Sequence, residues 1–173
     1  MNEQIYTKDF KSIFYIVFYA DYDIIKLRNS SLWRTNMQGY NAIVVFNENA
    51  DKMLMCKRRK NPYKGLFNFV GGKIELDESG ADAAYRELEE ETAITRNDIV
   101  LTHLMDFTYP LDNCYLEIYV GRLNKSLEAF GDENDLYWSE LNKNFFDATQ
   151  YAGEGNIGHI MMHVEMHKQE LLK

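Results

Sequence analysis

The sequence predicts one α/β domain from residue 37 to residue 173, preceded by an accessory segment, residues 1–36. Three observations predict it. From Tyr40 onward, short apolar runs alternate with turn signals at strand-like spacing. A long acidic segment from Ser79 to Thr92 interrupts them with helical periodicity. A final stretch places Ile157, Ile160, Met161, Val164 and Leu171 on one helical stripe. No repeat and no Pro/Ser-rich linker divides the chain.

Taken in order, residues 1–36 hold the apolar run IFYIVFY, Ile13 to Tyr19. Its periodicity fits a strand pair and a buried helix equally. Two roles stand for this segment: an upstream extension, with Met37 as an internal start, or a packed accessory segment or dimer arm. NAIVVFN, residues 41–47, reads as a buried strand, NENADK as a turn, and MLMCKRR as the returning strand. Asn61-Pro62 marks a loop. LFNFVGG is a short strand opening onto Gly71 and Gly72. Ser79 is placed to cap the next helix, with Asp82 three residues on, and Ala81, Ala84 and Leu88 supply its apolar face. Ile99–Thr108 and Cys114–Leu123 pair as a hairpin around Pro110-Leu111-Asp112-Asn113. Trp138 sits in a short strand, LYWSEL, before a Gly-rich loop and the terminal helix.

A chain of 173 residues suffices for one domain with a sizeable core, and 14% aromatic content argues for packing over disorder. The net charge of −8 opposes a surface that coats polymeric nucleic acid. It leaves room for a site that meets anionic phosphates through a metal. Cys56 and Cys114 lack metal-ligand spacing and lie in apolar runs, so both are expected as reduced core thiols. The early apolar run is too short for a membrane span, and acidic ADYD follows it in place of a cleavage site. The expected location is the cytoplasm, with no membrane partner and a monomer or homodimer as the assembly.

Chemistry concentrates between Gly72 and Ile94. Gly72 is followed by Glu78, then by Arg86-Glu87-Leu88 and by Glu90-Glu91. Glu87, Glu90 and Glu91 stand at i, i+3 and i+4, on one helix face, where like charges repel. A hard divalent cation bound through oxygen compensates such a cluster, and magnesium combines carboxylates with substrate phosphates.

The stretch resembles the Nudix box, G-x5-E-x7-R-E-U-x-E-E-x-G-U with U aliphatic; Gly72, Glu78, Arg86, Glu87, Leu88, Glu90, Glu91 and Ile94 all match. Ala93 departs from it, standing where the family usually has the glycine that ends the helix. The resemblance implies an α/β/α sandwich with a mixed β-sheet. It also implies hydrolysis of a nucleoside diphosphate linked to a further group, with a small nucleotide as the substrate partner. By the same resemblance, Glu87, Glu90, Glu91 and the Gly72 carbonyl hold magnesium, with manganese as a substitute. One of the glutamates serves as general base, and Arg86 orients the glutamates, with Glu78 as its partner or as a surface residue.

Glu133, five residues before Trp138, either adds a carboxylate to the metal group or is a solvated loop charge. Lys57 to Lys60 form the densest positive run. Successive residues of a strand face opposite sides, so two of the four are expected at the site; Arg58 and Arg59 are the candidates for phosphate, against a solvated strand end. Lys73 is a further candidate. The run KRRKNPYKGLFNFVGGKIE is similar to the matching stretch of 8-oxo-dGTP diphosphatases, which implies that Asn68 reads a purine edge. The alternative is that Asn68 satisfies its local turn. Phe67 stands where those enzymes carry tryptophan. Asp147 and Glu154 are the candidates for an acidic contact to the base. Pro110 and Tyr109 lie near positions that mark ADP-ribose and diadenosine-polyphosphate hydrolases, yet read more simply as hairpin residues. His159, His163 and His167 read as a solvated helix face rather than a metal site.

Overall fold

A computed structural model describes residues 36–172. The accessory-segment reading of residues 1–36 therefore lies outside the described residues almost entirely.

Six strands and two helices follow in the order β1 (Gln38–Phe46), β2 (Lys52–Lys57), β3 (Phe67–Asn68), α1 (Gly80–Thr92), β4 (Thr102–Tyr109), β5 (Cys114–Arg122), β6 (Asp135–Glu140) and α2 (Asn156–Leu171). The strands form one mixed sheet in the order β3-β2-β1-β5-β4, with β6 added on β2. β1 runs parallel to β5 from Gln38↔Cys114 to Phe46↔Arg122. β4 pairs antiparallel with β5 around the Pro110–Asn113 turn. β2 meets β1 only at Phe46↔Met53, then leaves it to pair with β6 and β3. The edge of β1 that β2 vacates is taken by Val70 and Lys73, opposite Ile43 and Tyr40. This divergence opens the sheet where Gly71 and Gly72 pass.

Strand alternation divides the core into two layers. Val44 and Phe46 of β1 join Met53, Met55 and Ile118 beneath Ile157, Ile160 and Val164 of α2. Ile43 and Val45 join Leu54, Val70 and Tyr119 beneath Ala84 and Leu88 of α1. Each fully buried aliphatic side chain contributes roughly 1.5–3 kcal/mol, so both helices are held chiefly by the sheet.

Helix α1 starts as its sequence implies. The Ser79 hydroxyl oxygen accepts the Asp82 N–H at 3.1 Å. Its buried residues are Ala83, Ala84, Leu88 and Thr92. Ala81 is exposed, which corrects its assignment to the apolar face. The rotation of α1 is set by what Leu88 and Ala84 meet on the sheet, and that rotation favours Ala83. Ala93 takes the left-handed cap conformation (φ 61°) despite its Cβ, at a cost of roughly 1–2 kcal/mol. Thr92 holds the turn, donating to the Leu88 carbonyl at 2.5 Å and accepting the Ile94 N–H at 3.1 Å. Cys56 is a buried free thiol, but Cys114 is only partly buried, which corrects its assignment to the core. Cys114 opens β5 at the mouth of a cleft and not within a packed layer.

Candidate active site

Where β1 and β2 part, a cleft of about 1040 Å³ runs between residues of α1 on one side and the start of α2 on the other. On the α1 side the geometry starts with two glycines. Gly71 has φ 134°, open to glycine alone, and turns its N–H to Glu91 at 2.9 Å. Gly72 has no room for a Cβ, because the Glu87 carboxylate occupies that space. Its N–H donates to Asn41 Oδ1 at 3.2 Å and its carbonyl accepts the Asn41 N–H at 2.8 Å.

Arg86 organises the acids above these glycines. Its Nε and Nη2 donate to the two oxygens of Glu78, each at 3.0 Å. Nη1 reaches Glu87 at 2.8 Å and Glu90 at 3.2 Å, and Nη2 also donates to the Lys73 carbonyl at 3.0 Å. Such a fork needs the planar five-donor guanidinium. Burial pushes the Glu87 carboxyl up, opposed by Arg86. Glu91 is pushed up to about 7, first by burial, with the charges of Glu133 and Glu87 adding to it and the Gly71 N–H opposing it.

Among the described residues, no three His, Cys, Asp or Glu side chains are gathered into a ready-made cation site. The donor chemistry nevertheless fits a hard divalent ion. Glu87, Glu91 and Glu133 line one cleft with Gly72, an all-oxygen donor set of the kind such ions take. Glu90 is largely exposed and paired to Arg86.

The other predicted residues separate. Arg58, Lys60, Asn68 and Lys73 line the cleft. Arg58 Nε is braced on the Pro62 carbonyl at 2.7 Å, and Lys60 pairs with Glu133 at 3.5 Å. Arg59 is not brought to the cleft: it is held by the Asp132 carbonyl (2.7 Å) and the Asp135 carboxylate. Asp147 is not brought there either, because its carboxylate accepts from Thr149 and Gln150 in its own turn. Phe67 packs edge-on against Tyr137, ring centroids 5.6 Å apart, and is not among the lining residues. His159 packs against Phe146.

Among the lining residues, sequence reasoning missed Asn41, Tyr63 and Asn156 and undervalued Tyr109. Tyr63 donates to the Glu154 carboxylate at 2.8–2.9 Å, and Asn156 donates to the Tyr109 hydroxyl at 2.5 Å. Tyr109, a hairpin residue by its sequence position, ends β4 and faces the cleft. Asn41 was signalled by a polar residue opening an otherwise apolar strand. Tyr63 and Asn156 carried no signal.

The model of the NUDIX domain matches residues 37–153. The chain belongs to the Nudix family. A curated relative, the ADP-ribose pyrophosphatase of Methanocaldococcus jannaschii, is 37% identical over 71 residues. That match covers 41% of this chain and 42% of the relative, so less than half of the relative's length is represented. Among solved structures, MutT from Aliivibrio salmonicida and Vibrio cholerae superposes with a TM-score of 0.60 at 22% identity, covering 75% of this chain and 98% of that one. The NUDIX domain of Shewanella oneidensis NrtR, crystallised with ADP ribose, gives 0.60 at 18% identity, covering 76% of this chain and 88% of that one. At these identities the structures establish the fold: the Nudix sandwich with its mixed sheet. Divalent metal use is general among Nudix hydrolases. No helix among the described residues is long and apolar enough to cross a membrane.

Proposed function

We propose that this Nudix domain hydrolyses a nucleoside triphosphate to the monophosphate and pyrophosphate, with an oxidised purine such as 8-oxo-dGTP as the first candidate. One observation carries the reading: the box carboxylates Glu87 and Glu91 line the same cleft as Arg58, Lys60 and Asn68. Acids for a cation, cations for phosphate and an amide for a base edge then serve one ligand. Glu87, Glu90, Glu91 and the Gly72 carbonyl, with Glu133 beside them, would hold magnesium, or manganese in its place. A cation so held neutralises phosphate charge and lowers the pKa of a bound water. Arg86 keeps Glu87 and Glu90 in place through its fork, and Glu78 keeps Arg86 there. Arg58, Lys60 and Lys73 meet phosphate oxygens, and Asn68 offers a donor and an acceptor to a purine edge. Two free cysteines support a reducing compartment, the cytoplasm, as the place of action. A monomer or homodimer remains the proposed assembly.

A second reading, hydrolysis of ADP-ribose or another nucleoside diphosphate derivative, is favoured by the 37% identical relative. Incubation with magnesium and a nucleotide panel separates the two. A triphosphate substrate releases pyrophosphate; ADP-ribose releases AMP and ribose 5-phosphate. Turnover of ADP-ribose alone would transfer the assignment to the second reading, and turnover of neither would sink both.

A further inference from the structure

Asn41 is 4% exposed and lines the cleft on the α1 side. It shares the sheet face of Ile43 and Val45, which pack beneath α1. Its side-chain oxygen is committed to the Gly72 N–H at 3.2 Å. That bond also fixes which way the amide faces, since a flipped amide would set two donors against each other. Its side-chain nitrogen is the one buried side-chain polar atom among the described residues that has no partner. None of the neighbouring acceptors takes it. Glu91 takes the Gly71 N–H, Glu87 is held by Arg86, and Glu117, across the β1–β5 pairing, accepts from the Tyr119 hydroxyl at 2.7 Å. Leaving a buried amide donor unmatched costs free energy, and native interiors avoid it. Such a donor in the wall of a binding cleft awaits an acceptor that the free protein lacks.

We infer that Asn41 Nδ2 is a ligand-binding donor that takes an anionic phosphate oxygen at the carboxylate side of the cleft. The inference rests on the phosphate-binding reading of this cleft. Anionic oxygen is the acceptor that matches the site. The acids beside Asn41 would repel one another and any phosphate unless a cation and neutral donors offset that charge. An amide supplies a donor without competing for the cation. Nδ2 is shielded from water in the free protein, so the oxygen reaches it only as the side chains covering it shift.

The test uses the full chain, magnesium, and methylenediphosphonate, a diphosphate mimic that cannot be hydrolysed and carries no base. Calorimetry is run on wild type, Asn41→Asp and Asn41→Ala, with melting curves to establish folding; Asn41→Ser replaces Asn41→Ala should that variant fail to fold. Asn41→Asp keeps the acceptor for Gly72 and removes the donor; Asn41→Ala removes both without adding charge. The expected result is a loss of at least about tenfold in diphosphonate affinity in both variants, with magnesium binding alone retained in Asn41→Asp. Loss only in Asn41→Asp would reduce the effect to charge repulsion and overturn the inference. Loss only in the neutral variant would reduce Asn41 to a support for Gly72 and overturn it equally. Weakened magnesium binding in Asn41→Asp without diphosphonate would assign the donor to a protein carboxylate instead. A wild type that binds no diphosphonate with magnesium would remove the reading of the cleft itself. A wild type that binds the diphosphonate with magnesium no more tightly than the variants do would remove only the inference about Asn41.

Discussion

On the α1 side of the cleft, Gly71, Gly72, Arg86, Glu87 and Glu91 come from one continuous stretch, with Gly71 hydrogen-bonded to Glu91 and Arg86 to Glu87. On the α2 side, Tyr63 arrives from the β2–β3 loop, Tyr109 from the end of β4, and Glu154 and Asn156 from the entry to α2. The first side has a crowd of acids around one guanidinium. The second has neutral hydroxyl and amide groups, with the Glu154 carboxylate accepting from Tyr63. Under the proposed function, the difference separates the side that does the chemistry from the side that selects the substrate. Charge that offsets phosphate must be placed rigidly, and one motif on one helix does that. A pocket for the variable part of a substrate can be assembled from loops, which change without disturbing the helix.

The largest expected effect falls on the α1 side. Glu91→Gln and Glu90→Gln each lower kcat by at least about tenfold, since a lost metal ligand removes charge stabilisation from the transition state. Initial rates at limiting magnesium check it, with circular dichroism to establish folding. Full activity in either variant would remove that glutamate from the cation group.

Gly72→Ala comes next. The added Cβ must displace the Glu87 carboxylate, which Arg86 holds from the other side. The expected outcome is a rate loss of about tenfold together with roughly 1–3 kcal/mol of destabilisation from overpacking. Denaturant melts and rates measured on the same preparation check it. An unchanged rate would show that Glu87 has freedom its ion pair does not suggest.

Asn68→Ala probes selectivity. Loss of a base-reading amide lowers kcat/KM for the preferred purine by roughly 1–3 kcal/mol and leaves a pyrimidine triphosphate nearly unaffected. Equal loss across nucleotides would mean that Asn68 only supports β3, and the oxidised-purine assignment would fall with it.

The same contrast explains what is legible in the sequence. The box carries its acids at fixed helical spacing, and that spacing alone places Glu87, Glu90 and Glu91 on one face. Alternating apolar runs mark every strand of the sheet, and Pro110 to Asn113 mark the hairpin. Helix rotation is not legible, because Ala81 and Ala83 are chemically the same and only the sheet distinguishes them. Arg58 and Arg59 are likewise indistinguishable in sequence. Asp135, far along the chain, is what holds Arg59 away from the lining. Asp147 follows the same pattern, claimed by a turn of its own. The α2 side depends on three segments meeting, and no local pattern announces that.

A control belongs to neither side. Asp98, 7% exposed, accepts from Thr95 and pairs with Lys125 at 2.7 Å. The Lys125 ammonium and the Thr95 donors hold its carboxyl down to about 2. Its folded value lies below the ordinary value of about 3.9, so its contribution is complete above pH ~4 and is lost as pH falls through 2. Asp98→Asn should lower stability at neutral pH and flatten the acid limb of the stability curve between those values. Selectivity between substrates should not change. An unaltered acid limb would show that the pairing contributes nothing.

The smallest effect expected is at Tyr63. Its hydroxyl donates to Glu154, and burial together with that carboxylate pushes it up to about 12. It remains a neutral donor at every pH where the protein would be assayed. Both residues hold left-handed backbone conformations, φ 66° and 50°, which non-glycine residues adopt at a cost, so the hydrogen bond links two unusual turns. Tyr63→Phe keeps the ring and the turn and removes only this bond between a partly buried hydroxyl and an exposed carboxylate. A neutral donor to a solvated carboxylate is worth about 1 kcal/mol, a factor of roughly five. That factor should appear in KM, with kcat unchanged, because Tyr63 shapes the pocket and leaves the carboxylates alone. A fall in kcat comparable to that of Glu91→Gln would mean that loop and helix act as one unit, and the division between the two sides would not hold. A rise in KM that also appears with methylenediphosphonate as a competitive inhibitor would place Tyr63 on the phosphates instead of the variable group.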